Sequence, residues 1–320
     1  RIFANPLGVD FADALVEGLT KRLEGMSPAA CAQVEIYVNT SRMQRRIRDV
    51  FDRGPARLLP KVRLVTDLAN DPVSRDLPSA VSPLQRRLEL SQFIAKLLER
   101  EPDLAPRAAL YDLSDSLAKL MDEMQGEGVG YEAIADLDVS DQSGHWERAL
   151  RFIKIIAPYF SIENEPPDQE ARQRLVIETL CERWEVDPPN RPIIIAGSTG
   201  SRGATALFMQ AVAKLPQGAI ILPGYDFDLP SPVWDAMDDP LTAQDHPQYR
   251  FRHLMDAIGF GPDDVNPWTN QAPMHPARNA LVSLSLRPAP VTDQWLSEGP
   301  RLGNLFAATD GLTLVEASSP

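Results

Sequence analysis

Apolar positions along this chain change their period twice. Short runs of branched apolar residues, the pattern of strands buried on both faces, occur at residues 34–38 (VEIYV), 193–196 (IIIA) and 219–222 (AIIL). Residues 57–68 (RLLPKVRLVTDL) supply another strand after a helix that opens near Ser41. On that helix Met43, Ile47, Val50 and Phe51 form the inward stripe, while Arg42, Arg45, Arg46 and Arg53 share the opposite face. Between these strand regions the period lengthens to that of helices. Ser82, Pro83 and Gln85 form a capping box with proline at the first helical position, predicting a helix over 83–100. Further helices are expected at 113–125, stopped by Gly126 and Gly128, at 145–160 and at 168–184, before Pro188 and Pro189 return the chain to strand.

The expected fold class is therefore α/β with a parallel sheet, interrupted by an all-helical insertion. Residues 1–80 and 188–300 make up the α/β domain, 81–187 the insertion, and 301–320, which end in a strand-like GLTLVEA, the start of a further domain. The first residue is Arg1 rather than Met, and the expectation is an excised piece of a longer protein.

Composition fits this frame. With 320 residues, 43% hydrophobic and 24% charged, the chain can bury sizeable cores and form about two domains. Cys31 and Cys181 stand far apart with no CxxC spacing, which argues for a reducing compartment and for core positions rather than a zinc site or disulfides. No apolar run approaches membrane-spanning length and no signal peptide is present, so a soluble, cytoplasmic protein without a membrane partner is expected.

The net charge of −13 disfavours nucleic acid as a partner until its distribution is considered. Between residues 42 and 63, eight basic residues face only Asp49 and Asp52, a local balance of +6 that leaves −19 elsewhere. Arg42, Arg45 and Arg46 are candidate phosphate contacts; a solvated charged face is the competing reading.

The strand at 193–196 runs into the loop Gly197, Ser198, Thr199, Gly200, Ser201, Arg202, Gly203, then a helix, then the strand at 219–222, a βαβ unit. Such loops lie where ligands of parallel sheets bind. A phosphate-binding P-loop needs four residues between its glycines, then Lys and Ser or Thr; here five separate Gly197 from Gly203, and Ala204 follows. The dinucleotide fingerprint fails too, since the glycines fall at the first, fourth and seventh positions. Anion binding through backbone N–H groups at the next helix N-terminus stays open, beside the simpler reading of a tight turn made of small residues.

The order sheet, helical insertion, sheet is that of the first motor domain of superfamily 1 helicases. The chain resembles the N-terminal third of AddB, the subunit of AddAB helicase-nucleases, in the subfamily without a Walker A motif. The resembling stretches, spread over nearly the whole chain, include FANPLGVDFADALVEGL, YVNTSRMQRRIRDVF, LLPKVRLVTDL, SPLQRRLELSQFIAKLL, LAKLMDEMQGEGV, HWERALRFIKI, IIIAGSTGSRGATALFMQAVAKLPQGAIILPG and HPQYRFRHLMDAIGF. The resemblance implies a degenerate P-loop NTPase-like domain 1A with a helical 1B insertion, and 301–320 opening domain 2A. It places Asn39, Thr40 and Ser41 at motif I, whose lysine is absent. Gly197, Ser198, Thr199 and Gly200 then stand at motif II, whose magnesium-binding Asp and catalytic Glu are replaced. Without those groups phosphoryl transfer loses its charge neutralisation and its water-positioning base, so no catalytic residue and no metal site are expected.

What the resemblance implies instead is a scaffold for double-strand break repair by recombination. It pairs with an AddA-like helicase subunit that hydrolyses ATP, holds DNA and contributes to reading a hotspot sequence, with Arg202 as a further phosphate contact. The family's nuclease, with magnesium and often an iron–sulfur cluster, lies in a C-terminal domain absent from this sequence. No cofactor is expected here. Pro262, Asp263 and Asp264 imitate the start of a nuclease motif, but no lysine follows Lys214, and a turn after Gly259 and Gly261 accounts for them. His145, His246, His253 and His275 show no ligand spacing. Two alternatives stay open: an active NTPase, or a nucleotide-cofactor α/β enzyme, either using the loop Gly197 to Gly203, the latter giving Asp226 a role.

Overall fold

The computed structural model describes residues 1–130, 133, 166–200 and 203–316. Strands β1 (Ile2–Pro6), β2 (Glu35–Val38), β3 (Lys61–Leu64), β4 (Ile193–Ala196), β5 (Gly218–Tyr225) and β6 (Asn266–Pro267) form one six-stranded sheet in the order β3-β2-β4-β5-β1-β6. Every pairing is parallel. The chain divides into two compact units, one comprising Arg1–Val65, Pro188–Ser201 and Met209–Pro320, the other Thr66–Asp187 and Arg202–Phe208.

In the first unit, β2 and β4 are buried along their whole length, as their apolar sequences require. One face of the sheet, through Ile36, Val38, Ile194, Ala196 and Ile221, packs against Ala12, Leu15 and Leu19 of α1 (Phe11–Arg22) and Ile47 and Phe51 of α3 (Ser41–Asp52). A short α2 (Pro28–Gln33) leads into β2. The edge strand β6 is only two residues long, and Trp268 anchors it. Its indole meets Phe3 edge-on at 5.2 Å, its Nε1–H donates to Leu15 O at 3.1 Å, and the Arg22 guanidinium lies 3.6 Å from its ring centroid. Arg22 also donates to Trp268 O at 2.8 Å.

The second unit is helical among its described residues. Its core is Leu90, Ile94 and Leu98 of α4 (Pro83–Arg100) against Leu117 and Met121 of α5 (Leu110–Glu127). The Ser82 hydroxyl accepts the Gln85 N–H at 3.2 Å, the expected N-cap. Arg86 of α4 donates to Asp168 Oδ1 at 2.7 Å just before α6 (Gln169–Val186), and both side chains are nearly buried. Arg172 of α6 donates to three backbone carbonyls, those of Ala69, Ser74 and Pro78. The helix expected at 145–160 lies outside the described residues.

The boundaries differ from expectation in physical detail. The helical unit opens at Thr66 rather than residue 81, because the 3₁₀ turns Val65–Asn70 and Pro72–Asp76 follow directly on β3, and Arg172 holds them to α6. Residues 301–316, expected to open a further domain, group with the sheet unit. Leu312 to Glu316, read as strand-like, pair with no strand among the described residues and leave Leu312, Leu314 and Val315 largely exposed. No helix among the described residues is long and apolar enough to cross a membrane.

Trp268→Ala should lower stability by about 3–5 kcal/mol, the range for truncating a buried aromatic, as read from urea denaturation. Arg22→Lys, which keeps the charge but loses the planar fork, should cost about 1 kcal/mol in the same measurement.

Candidate functional site

The two sequence positions singled out on the sheet meet. β2 and β4 are neighbours, so the turns that follow them lie side by side at the carboxyl edge. From β2 the chain leaves for β3 on one side, and from β4 it leaves for β5 on the other, which makes this the crevice where parallel α/β sheets receive ligands. The Asn39 side-chain amide donates to Ser198 Oγ at 3.0 Å. The same oxygen accepts the Gly200 N–H at 3.2 Å, and Ser198 is 1% exposed. Gly197 and Gly200 have φ of 74° and 65°, left-handed conformations that favour glycine. A Cβ on Gly197 would stand 3.1 Å from the Phe11 ring. A neutral hydrogen bond thus joins the two turns, and the Phe11 ring lies beside Gly197.

The helices that follow β1, β2 and β4 in the chain have first-turn N–H groups that are the natural seats for phosphate. In each helix one of these N–H groups is met by an oxygen of the protein itself. Asp10 Oδ1 accepts the Asp13 N–H of α1 at 3.0 Å, and Thr40 Oγ1 accepts the Met43 N–H of α3 at 3.2 Å. After β4 comes α7 (Gly203–Lys214), and its Gly203 N–H donates to Glu127 Oε1, from the end of α5, at 3.0 Å. A Cβ on Gly203 would lie 2.7 Å from the Glu127 Cα, so the approach demands glycine. One N–H of this helix terminus, that of Gly203, is thus taken by a carboxylate of the chain itself.

The basic face of α3 separates into two sets. Arg46 pairs with Asp10 at 3.0 Å and Asp13 at 3.2 Å, and Arg53 with Asp13 at 2.9 Å, so α1 neutralises this end of the face. The N–H of Asp13 and the Arg46 guanidinium hold the Asp10 carboxyl below its ordinary range, and Arg46 in turn is raised by its hydrogen bond to Asp10. Arg48 donates to Val62 O. Arg42 and Arg45 are exposed and make no ion pair or hydrogen bond among the described residues. Of the predicted phosphate contacts, Arg46 is therefore engaged internally, Arg42 and Arg45 are free, and Arg202 lies outside the described residues, as does His145.

Asp226 follows directly on β5, the strand beside β4, and is 8% exposed. Its N–H donates to Gln248 Oε1 and its Oδ1 accepts the Asp228 N–H, so it shapes its own turn. Burial, ahead of the nearby Arg287, lowers His246 to about 4. The stretch Pro262–Asp264 is a 3₁₀ turn in which Asp264 Oδ2 accepts the Gly261 N–H. Cys31 and Cys181 are half-buried rather than fully within a core. Among the described residues no group of three or more His, Cys, Asp or Glu is placed to hold a metal ion.

Sequence reading missed Asp10, Asp13 and Glu127. The first two carry a signal, since DFAD ahead of the apolar LVEGL is an N-cap pattern. Glu127 carries none, because its partner is 76 residues away. No protein-family model matches the chain. No curated protein matches it either.

Ser198→Ala, which removes the acceptor of both Asn39 and Gly200, should lower stability by about 1–3 kcal/mol, measured by urea denaturation. An unchanged midpoint would mean that the bond contributes nothing.

Proposed function

We propose that the chain is the N-terminal pseudo-helicase region of an AddB-like subunit, a scaffold that holds DNA and an AddA-like motor partner without hydrolysing ATP. The observation that carries this is the Asn39–Ser198 hydrogen bond at the ligand crevice of the sheet, where two neutral side chains meet. A phosphoryl-transfer site there needs an ammonium for the phosphates and carboxylates for magnesium. The parallel order of the sheet and the helical unit formed largely by the chain between β3 and β4 support a degenerate superfamily 1 motor domain with a 1B-like insertion. In the whole protein a separate nuclease domain, with its metals, would do the cutting during recombinational repair of double-strand breaks.

Arg42 and Arg45 give the scaffold its means of touching a phosphate backbone, because they lie exposed on α3 within the stretch of local charge +6 and are not spent on internal pairs. The remaining charge, −19 overall, repels DNA and would confine contact to this face. The nucleotide-cofactor alternative draws no support from Asp226, whose polar atoms serve its own turn and Gln248.

Binding of duplex ends and single strands, titrated against salt, tests the DNA role. Replacing both Arg42 and Arg45 by Ala should reduce the salt slope by nearly two units on duplex, about 0.9 for each phosphate that is no longer neutralised. Affinity and slope equal to those of the unchanged chain would return α3 to a solvated face. Arg46→Ala should instead lower stability slightly with the slope unchanged, since its partners are Asp10 and Asp13.

A further inference from the structure

A cavity of about 420 Å³ opens at the carboxyl ends of β5, β1 and β6, within the range of about 300–1,000 Å³ typical of ligand sites. Pro6 and Leu7 wall it from β1, residues 225–228 from β5, and Thr269, Asn270 and Gln271 from the chain after β6. Its charged residues are Asp226 and Asp228; among the described residues no Lys, Arg or His lines it. An anionic ligand therefore finds two carboxylates and no cation, and would be repelled.

Asp226 gives the cavity its demand for a donor. The residue is 8% exposed and lines the cavity. Its Oδ1 accepts the Asp228 N–H at 3.1 Å, whereas its Oδ2 has no hydrogen-bond partner among the described residues. A carboxylate this far removed from water, with lone pairs unfilled, gains most from a charged donor. Phe227 adds an apolar face: its ring packs edge-on against Tyr225 at 4.9 Å, and the residue stays 38% exposed. A planar cation can stack on such a ring while its N–H groups reach a carboxylate; a compact ammonium offers no plane to stack.

We infer that this cavity is a binding site for a guanidinium group on a short alkyl chain, an arginine side chain or a small molecule of the same chemistry. The site rests on the chemistry of the cavity and is independent of the DNA-holding role. Among the described residues no third His, Cys, Asp or Glu joins Asp226 and Asp228 in a metal-binding group.

Calorimetric or NMR titration of this chain with N-acetyl-arginine amide tests it, with N-acetyl-citrulline amide as the neutral isostere, N-acetyl-lysine amide as the non-planar cation, and agmatine as the guanidinium without a backbone. The arginine derivative should bind about tenfold or more tightly than the citrulline derivative, the margin of a charge-assisted hydrogen bond, and more tightly than the lysine derivative. Asp226→Asn keeps the acceptor for the Asp228 N–H and should weaken arginine binding about tenfold; Asp228→Asn, at an exposed position, should weaken it less. Agmatine binding as well as the arginine derivative would assign the site to small cations, and weaker agmatine binding to a polypeptide source. Equal binding of arginine and citrulline derivatives, no binding of either guanidinium, or binding of pyrophosphate displaced by neither would overturn the inference.

Discussion

A helix that follows a parallel strand presents unpaired N–H groups at its first turn, and something must accept from them. In nucleotide-binding sheets that acceptor is a phosphate. Here the chain supplies it from within: Asp10 for α1, Thr40 for α3 and Glu127 for α7. Once these positions are filled, the rest of the site follows. Arg46 has a carboxylate to pair with, Gly203 must be glycine to let the end of α5 approach, and the crevice between β2 and β4 can close on a neutral Asn39–Ser198 bond.

Charge divides the surface in the same spirit. The cations of α3 that lie toward α1 are cancelled by Asp10 and Asp13, and Arg42 and Arg45 are left over. The carboxylates near the end of β5 line a cavity without any cation. An acidic protein can thus carry one small basic face and a separate acidic cavity, because each charge acts strongly only within about a Debye length of 8 Å at physiological salt.

The central strands were legible because burial on both faces leaves an unmistakable run. β4 has the bounds its sequence predicts, and β2 is shorter by one residue. β5 continues to Tyr225 through Pro223 and Gly224, which read as breakers in sequence but are carried by pairing with β1, where the register shifts between Ala4 and Pro6. β1 is legible only as part of a resembling stretch, since IFANP mixes Asn and Pro with its apolar residues and becomes a strand by lying between β5 and β6. β6, two residues long, has no period to read. At Leu312 to Glu316 the alternation is present while no partner strand lies among the described residues. At the site, sequence alone marks Asn39 and Ser198 as polar turns after strands, but the hydrogen bond between them spans 159 residues and depends on the strand order. Arg46 resembles its neighbours Arg42 and Arg45 in sequence for the same reason: its two carboxylate partners lie at the start of another helix.

The central proposal is that the ligand edge of this sheet does not take a triphosphate, because side chains of the chain itself meet the groups that would bind it. Titration of the purified chain with ATP and magnesium, followed by heat of binding and by phosphate release, tests it most directly. The account predicts no saturable heat and no release above the protein-free rate. Saturable binding with magnesium-dependent turnover, abolished when the loop after β4 is altered, would contradict it.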